Sequence, residues 1–225
     1  MDIKNNLRQQ YNTVSKVFSN SQINYNKKSN ERYFDFFKNL NINHKKILDL
    51  GCGDGTEMIH FLKKGGDVVG IDESDDLVNI AKAKNIDALV GDFENLPFDD
   101  CSFDMVVSKY AIQTLGNLGN MYSESHRVLK KNGILYFMVV HPFRQFLEKK
   151  ELSANYFERT IVQSKIFGGT LAFAEPTHTM NDYIGSCVLE KFDVIFHDEG
   201  EDFVSAERIR EQTYPTYLII ALRKK

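Results

Sequence analysis

The stretch KILDLGCGDGTEM occupies residues 46–58 and joins a short apolar run to a cluster of closely spaced glycines. A short apolar run of this kind is typical of a buried strand. Glycines at alternate positions remove the side chains that would keep a ligand from the backbone, and they permit a tight turn. Gly51, Gly53 and Gly55 therefore predict a strand that ends in a ligand-binding loop, with a helix beginning directly after it.

Beyond this loop, short apolar runs alternate with amphipathic segments as far as residue 141. The runs DVVGID, DALVGD, SFDMVVS and ILYFMVV predict four further strands. Ser74 is placed to cap one intervening helix, and Gly133 stands where a helix end favours a left-handed residue. Strands that alternate with helices imply right-handed crossovers, so the sequence predicts an α/β fold with a doubly wound, mostly parallel sheet.

The 225 residues suit a single domain with four consecutive parts. Residues 1–45 carry scattered aromatics among Asn, Lys and Ser, and are predicted to form an N-terminal helical lid. Residues 46–141 form the predicted ligand-binding core. Residues 142–178 interrupt the alternation, and such an insertion usually shapes a pocket above the sheet. Residues 179–225 are expected to supply a C-terminal helix and strands 6 and 7.

Composition and charge argue against several other classes of protein. The net charge is −3 and the Lys and Arg residues are scattered, which disfavours binding to nucleic acid. No apolar run is long enough for a membrane span, and the N-terminal sequence lacks a signal-peptide layout, so we expect a cytoplasmic protein. Cys52, Cys101 and Cys187 are an odd number without metal-ligand spacing, which predicts reduced thiols and no metal site.

Two kinds of ligand are compatible with a glycine-rich loop after the first strand. A dinucleotide fingerprint needs a sixth-position glycine, but counting from Gly51 places Thr56 there, and Asp54 would put a carboxylate beside the phosphates. Asp49, one residue before the end of the strand, suits a cationic amino group instead. Asp72, at the end of the second strand, suits a ribose diol, although it would also fit as the first residue of a turn.

Four motifs in order along residues 45–141 resemble the class I S-adenosylmethionine-dependent methyltransferases. They are LDLGCGDG, VVGIDES, GDFENLPFDDCSFDMVVS and RVLKKNGILYF. The resemblance implies a Rossmann-like, seven-stranded sheet whose last strand, TYLIIALRKK, runs antiparallel. It implies S-adenosyl-L-methionine as cofactor and S-adenosyl-L-homocysteine as product. The segment HTMNDYI is similar to small-molecule branches of the family.

The resemblance also implies cofactor contacts at particular positions of this chain. Grouped by the part of the cofactor, they are Asp49, Gly51, Cys52 and Gly53 for the methionine end, Asp72 and Glu73 for the ribose, Asp92 and Phe93 for the adenine, and Ser108 for the side of the sulfur. Tyr11 stands where relatives carry an aromatic residue that closes over the cofactor. The alternative for Tyr11 is a ring that only anchors the N-terminal helix.

Methyl transfer from a sulfonium is an in-line displacement, so the protein mainly aligns the acceptor and excludes water. A base is needed only when the acceptor must lose a proton. His141 directly follows the fifth strand and is the predicted general base or acceptor-orienting group, the alternative being a loop histidine with satisfied hydrogen bonds. The candidate substrate-binding residues are Tyr110, Gln113, Arg144, His178 and Tyr183.

The predicted function is therefore methyl transfer to a small-molecule acceptor, with neither nucleic acid nor a membrane as partner. A second hypothesis keeps the fold and the cofactor but takes a protein or RNA as acceptor. A third is a binding module or a nucleotide-binding oxidoreductase, which the residue at position 56 opposes. The sequence predicts neither the oligomeric state nor the atom that receives the methyl group.

Overall fold

The computed structural model of the protein describes residues 3–22, 26–149, 154–167, 169–203 and 208–225. The helices are α1 (Ile3–Gln22), α2 (Lys27–Asp35), α3 (Met58–Lys63), α4 (Asp75–Ala83), α5 (Gly119–Val128), α6 (Pro142–Lys149), α7 (Met180–Ile184) and α8 (Ser186–Leu189), with short 3-10 turns at Ile112–Thr114 and Ile209–Glu211. The strands are β1 (Lys46–Leu50), β2 (Asp67–Asp72), β3 (Ala88–Val90), β4 (Phe103–Lys109), β5 (Leu129–Val140), β6 (Ile161–Ile166), β7 (Leu171–Pro176), β8 (Phe192–Gly200) and β9 (Tyr217–Lys224).

A seven-stranded sheet with the order β3-β2-β1-β4-β5-β9-β8 forms the centre of the fold. Strands β1 to β5 pair in parallel, and β9 runs antiparallel to both β5 and β8. The strand order reverses between β1 and β4, where the carboxyl ends of the two strands leave a crevice in which such sheets bind ligands. The predicted α/β fold with an antiparallel last strand is confirmed.

Both faces of the sheet are covered by apolar side chains. Leu48, Leu50 and Phe137 belong to the cluster on one face, whereas Ile47 and Tyr136 belong to the cluster on the other. This division follows from the alternation of side chains along a strand. It explains why the central strands are almost wholly apolar in sequence.

Helix α4 begins as predicted, but the predicted role of Gly133 is wrong. The Ser74 hydroxyl accepts a hydrogen bond from the backbone N–H of Leu77. Helix α5 ends at Val128 and the chain passes directly into β5, in which Gly133 lies. A Cβ atom at Gly133 would lie 2.8 Å from the carbonyl oxygen of Lys130, so the position needs glycine because of close backbone approach, not because a helix ends there.

The two segments that flank the core in sequence lie against each other. Helix α1 contacts α4 and β7. The insertion, residues 142–178, contains α6 and a separate antiparallel hairpin formed by β6 and β7.

None of the helices in the described part of the chain has both the length and the apolar character that a membrane crossing requires.

Candidate active site

The glycine loop at the end of β1 adopts a conformation that other residues resist. Gly51, Gly53 and Gly55 have φ angles of 71°, 53° and 77°. A Cβ atom at Gly51 would lie 2.1 Å from the Cβ atom of Ala111, so a side chain does not fit there. A Cβ atom at Gly53 would meet nothing within 4 Å. The loop therefore presents bare backbone to open space at the switch point of the sheet.

Asp72, the last residue of β2, fixes this loop. Its Oδ2 atom accepts a hydrogen bond of 2.9 Å from the backbone N–H of Gly53, and its Oδ1 atom accepts one of 2.8 Å from the backbone N–H of Ser74. Burial raises the pKa of the Asp72 carboxyl, and these two hydrogen bonds oppose the rise. One carboxylate thus joins the first two strands at their carboxyl ends.

Acidic side chains outnumber basic ones around the loop. Asp49 lies within β1, and burial together with the charges of Glu57 and Asp72 raises its pKa well above the usual range. Lys109 opposes this rise, but its ammonium group is paired with Glu57 at 2.6 Å. This group of acidic side chains suits a positively charged ligand, because a bound cation would relieve the repulsion among buried carboxylates. A sulfonium nucleoside is such a ligand.

A single cavity runs from the glycine loop to the insertion. At one end its walls include Gly51, Cys52, Gly53, Asp72, Glu73 and Phe93. At the other end they include Tyr110, Gln113, Arg144, Phe167 and Glu175. The cavity is thus shared by the sheet edge and the insertion, which is the arrangement needed to hold two reactants side by side.

Helix α1 forms one wall of this cavity through Tyr11. The Tyr11 ring stacks on the ring of Phe173 from β7, with 4.4 Å between centroids and an angle of 17° between planes. The Nη2 atom of Arg8 donates to both oxygens of the Asp75 carboxylate at 2.8 Å, which fastens the same helix to the start of α4. Tyr11 and Arg8 both line the cavity. The position of Tyr11 fits an aromatic residue that closes over a bound cofactor. Its stacking on Phe173 is equally compatible with a ring that only anchors α1.

Glu175 is a buried acid at the insertion end of the cavity. It is not among the site residues predicted from the sequence. It shares a face of β7 with Phe173 and is 3% exposed. Burial raises the pKa of its carboxyl to about 7; the nearby Glu148 adds to the rise, and Arg144 opposes it. One signal was available in the sequence, namely an acid at an alternate position within the apolar run LAFAEP.

Arg144 and Tyr110 line the same end of the cavity. The Arg144 guanidinium donates to Glu148 at 3.0 Å and to the carbonyl oxygen of Lys165 at 2.7 Å, so it is held between α6 and β6. Tyr110 has a φ of 53°, and its backbone N–H donates to the carbonyl oxygen of Met138. A non-glycine residue in this region of φ marks a position that the surrounding structure constrains.

Gln113 lines the cavity, whereas His178 lies behind the wall. The Nε2 atom of His178 is 2.9 Å from the carbonyl oxygen of Gln113, and its backbone N–H donates to the side chain of Gln145. The ring is buried, which lowers the pKa of His178. Its geometry therefore suits positioning of the short turn that carries Gln113 better than contact with a ligand.

His141 does not line the cavity, and both of its ring nitrogens have partners. Its Nδ1 atom accepts a hydrogen bond of 3.0 Å from the backbone N–H of Phe143, and its Nε2 atom lies 2.9 Å from a carboxylate oxygen of Glu199. The neutral tautomer with hydrogen on Nε2 satisfies both contacts. Burial lowers the pKa of His141, and Glu199 opposes the change. This geometry makes His141 a cap for α6, and a role in proton transfer stays a prediction.

Four other predicted site residues lie outside the cavity lining. Asp49 is buried beneath the loop, and the Ser108 hydroxyl donates to the carbonyl oxygen of Leu50, holding β4 to β1. The Asp92 carboxylate accepts a hydrogen bond from the backbone N–H of Glu94 in the turn after β3. Tyr183 is fully buried in the hydrophobic core. The structure thus gives each of the four a role in holding the fold together.

Comparison with known proteins agrees with this geometry. Residues 48–137 match a family model described as a methyltransferase domain. The chain contains a class I S-adenosylmethionine-dependent methyltransferase domain. The resemblance seen in the sequence is therefore confirmed, as is the Rossmann-like fold. Among the described residues, no group of three or more His, Cys, Asp or Glu side chains is arranged to hold a metal ion.

Two curated relatives illustrate the range of similarity to this methyltransferase domain. The malonyl-[acyl-carrier protein] O-methyltransferase of Legionella pneumophila is 30% identical over 144 residues, which are 58% of this chain and 51% of that protein. The demethylmenaquinone methyltransferase of Chlorobaculum tepidum is 35% identical over 119 residues, 52% of this chain and 49% of that one. The chain thus spans about half the length of these curated relatives.

A solved structure shares the fold over a greater length. The S-adenosylmethionine-dependent methyltransferase of Mesorhizobium loti superposes with a TM-score of 0.67 at 18% identity, covering 82% of this chain and 93% of its own. At this level of identity the likeness concerns the arrangement of the methyltransferase fold alone.

Proposed function

We propose that this protein transfers a methyl group from S-adenosylmethionine to a small-molecule acceptor enclosed between the glycine loop and the insertion. The observation that carries the proposal is the continuity of the cavity. Gly53 and Asp72 lie at one end, and Arg144 and Glu175 lie at the other. A donor and an acceptor held in one continuous cavity meet the main requirement of an in-line displacement, which is alignment.

The groups that would hold the cofactor fit a cationic nucleoside. They are the backbone of Gly51 to Gly53, the carboxylates of Asp72 and Glu73, and the ring of Phe93, all of which line the cavity. S-adenosylmethionine would supply there a methyl carbon activated by its sulfonium sulfur. Asp49 is buried beneath the loop and does not line the cavity.

The remaining cavity residues would enclose the acceptor. Tyr11 and Phe18 from α1 and Phe167 from the insertion supply apolar surface, and Tyr110 lines the cavity with them. Ring contacts between α1 and the hairpin, such as the 5.4 Å separation of Phe18 and Phe167, hold these two walls together. A concave cavity with these aromatic walls suits a small acceptor better than a polymer chain.

Thermal unfolding with candidate cofactors tests the proposal directly. S-adenosylhomocysteine at 100 times its dissociation constant should stabilise the protein by about 2.7 kcal/mol, whereas NAD and NADP should not. A screen of small-molecule acceptors, measured by release of S-adenosylhomocysteine, would then identify the acceptor. Absence of stabilisation by both S-adenosylmethionine and S-adenosylhomocysteine would overturn the proposal.

A further inference from the structure

We propose that Glu175 and Gln113 bind an amino group of the acceptor, and that Glu175 takes a proton from it before methyl transfer. The acceptor would then be a small amine with an apolar body, and nitrogen would receive the methyl group. This inference rests on the proposed function and makes its substrate class specific.

The described residues leave two buried oxygen atoms at this end of the cavity without hydrogen-bond partners. Within the part of the chain that the structure describes, neither Oε2 of Glu175 nor Oε1 of Gln113 has a hydrogen-bond partner. The two side chains are 3% and 1% exposed, and both line the cavity. Buried polar atoms are nearly always satisfied. Because both atoms are acceptors, the missing partner is a donor, and an amino group offers more than one N–H.

The charges around Glu175 favour a cationic ligand. Glu175 faces Arg144 and Glu148 from α6, Tyr11 from α1 and Tyr183 from α7. Arg144 already pairs with Glu148 at 3.0 Å, so these two charges largely offset each other. Hydrogen bonds from the side chains of Ser164 and Gln113 favour the ionised carboxylate of Glu175 but bring no positive charge, so its charge is left to be balanced by a ligand. An ammonium group balances it, and a carboxylate would be repelled.

Apolar and aromatic side chains form much of the cavity wall. Ile166, Phe167 and Val140 line the cavity together with Tyr110 and Tyr11. Apolar and aromatic walls with a few convergent polar groups are typical of a site that takes a small, mostly apolar ligand. The polar end of such a ligand would lie at Glu175.

The proton and electron balance of this step is complete without a further reactant. The amine enters as an ammonium ion, and one N–H proton passes to the Glu175 carboxylate. The nitrogen lone pair then forms the new bond to the methyl carbon, and the carbon–sulfur bond breaks with its electron pair going to sulfur. A carboxyl group that titrates near neutrality is suited to accept this proton at physiological pH.

Calorimetry with three small probes tests the proposal on the full chain saturated with S-adenosylhomocysteine. The probes are 2-phenylethylamine, 2-phenylethanol and phenylacetate, which share an aromatic ring and differ in the polar end. We expect the amine to bind at least about tenfold more tightly than the other two. Equal binding of all three, or tighter binding of the alcohol or the carboxylate, would overturn the amine assignment.

Variants separate this proposal from the proposed function. Glu175→Gln should weaken binding of 2-phenylethylamine about tenfold and leave binding of S-adenosylhomocysteine within about twofold of wild type. Glu190→Gln makes the same chemical change at an exposed position and should alter neither. Unchanged amine binding in Glu175→Gln would refute the role of Glu175. Failure of S-adenosylhomocysteine to bind the wild type would instead refute the proposed function.

A measurement on the wild type alone covers the case in which Glu175→Gln does not fold. With a carboxyl pKa of about 7, the ionised fraction of Glu175 rises about tenfold between pH 6 and pH 8. The amine stays protonated over this range, so its affinity should rise by about the same factor. An affinity that is flat or falls between pH 6 and pH 8 would contradict the proposal.

Discussion

The backbone N–H of Gly53 donates a 2.9 Å hydrogen bond to the carboxylate of Asp72, which joins the glycine loop to the end of β2. The other oxygen of the same carboxylate accepts from the backbone N–H of Ser74. A carboxylate has acceptor atoms on both sides, and an amide has only one. The exact side chain at this position therefore determines whether the loop keeps its shape and whether a carboxylate faces the ligand.

Asp72→Asn should accordingly weaken cofactor binding. One of the two backbone N–H groups would face an amide N–H₂ group instead of an oxygen, and the negative charge would be lost. We expect a loss of about 1–3 kcal/mol in the binding of S-adenosylhomocysteine, measured by titration calorimetry. Asp99→Asn, on the exposed surface, is the matched control and should bind as the wild type does. Wild-type affinity in Asp72→Asn would show that the loop does not depend on this carboxylate.

Tyr11 offers a test of whether α1 takes part in ligand binding. The stacking of Tyr11 on Phe173 holds α1 over the cavity, whereas the ion pair of Arg8 with Asp75 is half exposed and contributes little. Tyr11→Ala should speed amide exchange along α1 and weaken S-adenosylhomocysteine binding about tenfold.

Tyr11→Phe keeps the ring and is the control, since it should behave as the wild type in both measurements. The two hypotheses for Tyr11 differ in one observable. If Tyr11→Ala speeds exchange but leaves affinity unchanged, the ring only anchors the helix. A change in affinity of the expected size would support closure over the cofactor.

The part of the fold that could be predicted from sequence is the part set by local patterns. The apolar runs, the glycine spacing and the Ser74 cap each depend on a few neighbouring residues, and they yielded the sheet and the loop. The prediction for Gly133 is wrong because the helix before it ends at Val128 and the strand begins at once. Its need for glycine comes from a carbonyl group that only the folded strand brings close.

The acceptor end of the site could not be predicted in the same way. Glu175, Gln113 and Arg144 come from a hairpin, a short turn and a helix that are distant in sequence. Their meeting depends on how the insertion folds back on the sheet. For His141 the local sequence allows two roles. A histidine that follows a strand at the ligand-bearing edge can face the ligand or cap the next helix. The contacts of its ring with Glu199 and with the backbone of Phe143, which the sequence does not reveal, favour the cap.

His141 should contribute to stability more than to catalysis. Removing the ring in His141→Ala takes away the cap of α6 and the contact with Glu199, and should lower the free energy of unfolding by about 1–2 kcal/mol in urea titrations. His141→Asn can still cap the helix and should recover part of this loss. Both variants should bind S-adenosylhomocysteine as the wild type does.

The contribution of His141 to stability should depend on pH, and its variants should lack that dependence. The pKa of His141 is lowered in the folded protein from the ordinary value of 6.5, so the folded state binds fewer protons than the unfolded state. The corresponding stability is present above pH 6.5 and is lost as pH falls below it. The variants should lack this loss. Turnover that disappears in a stable His141→Asn protein would instead support the general-base role.

Glu175 should show the opposite dependence on pH. The folded-state pKa is about 7 and the ordinary value is 4.5, so the folded state holds a proton that the unfolded state releases. The stability from this group is complete below pH 4.5 and is lost as pH rises through 7. Between pH 4.5 and pH 8 the wild type should lose about 3 kcal/mol that Glu175→Gln keeps.

Urea unfolding of the two proteins at several pH values measures this difference. Because other groups titrate equally in both proteins, the difference between the two curves isolates Glu175, provided that Glu190→Gln follows the wild type throughout. Bound amine should flatten the wild-type curve, since it favours the ionised carboxylate. Parallel curves for wild type and Glu175→Gln would mean that the carboxyl group is solvated in the folded protein and does not hold its proton near neutrality.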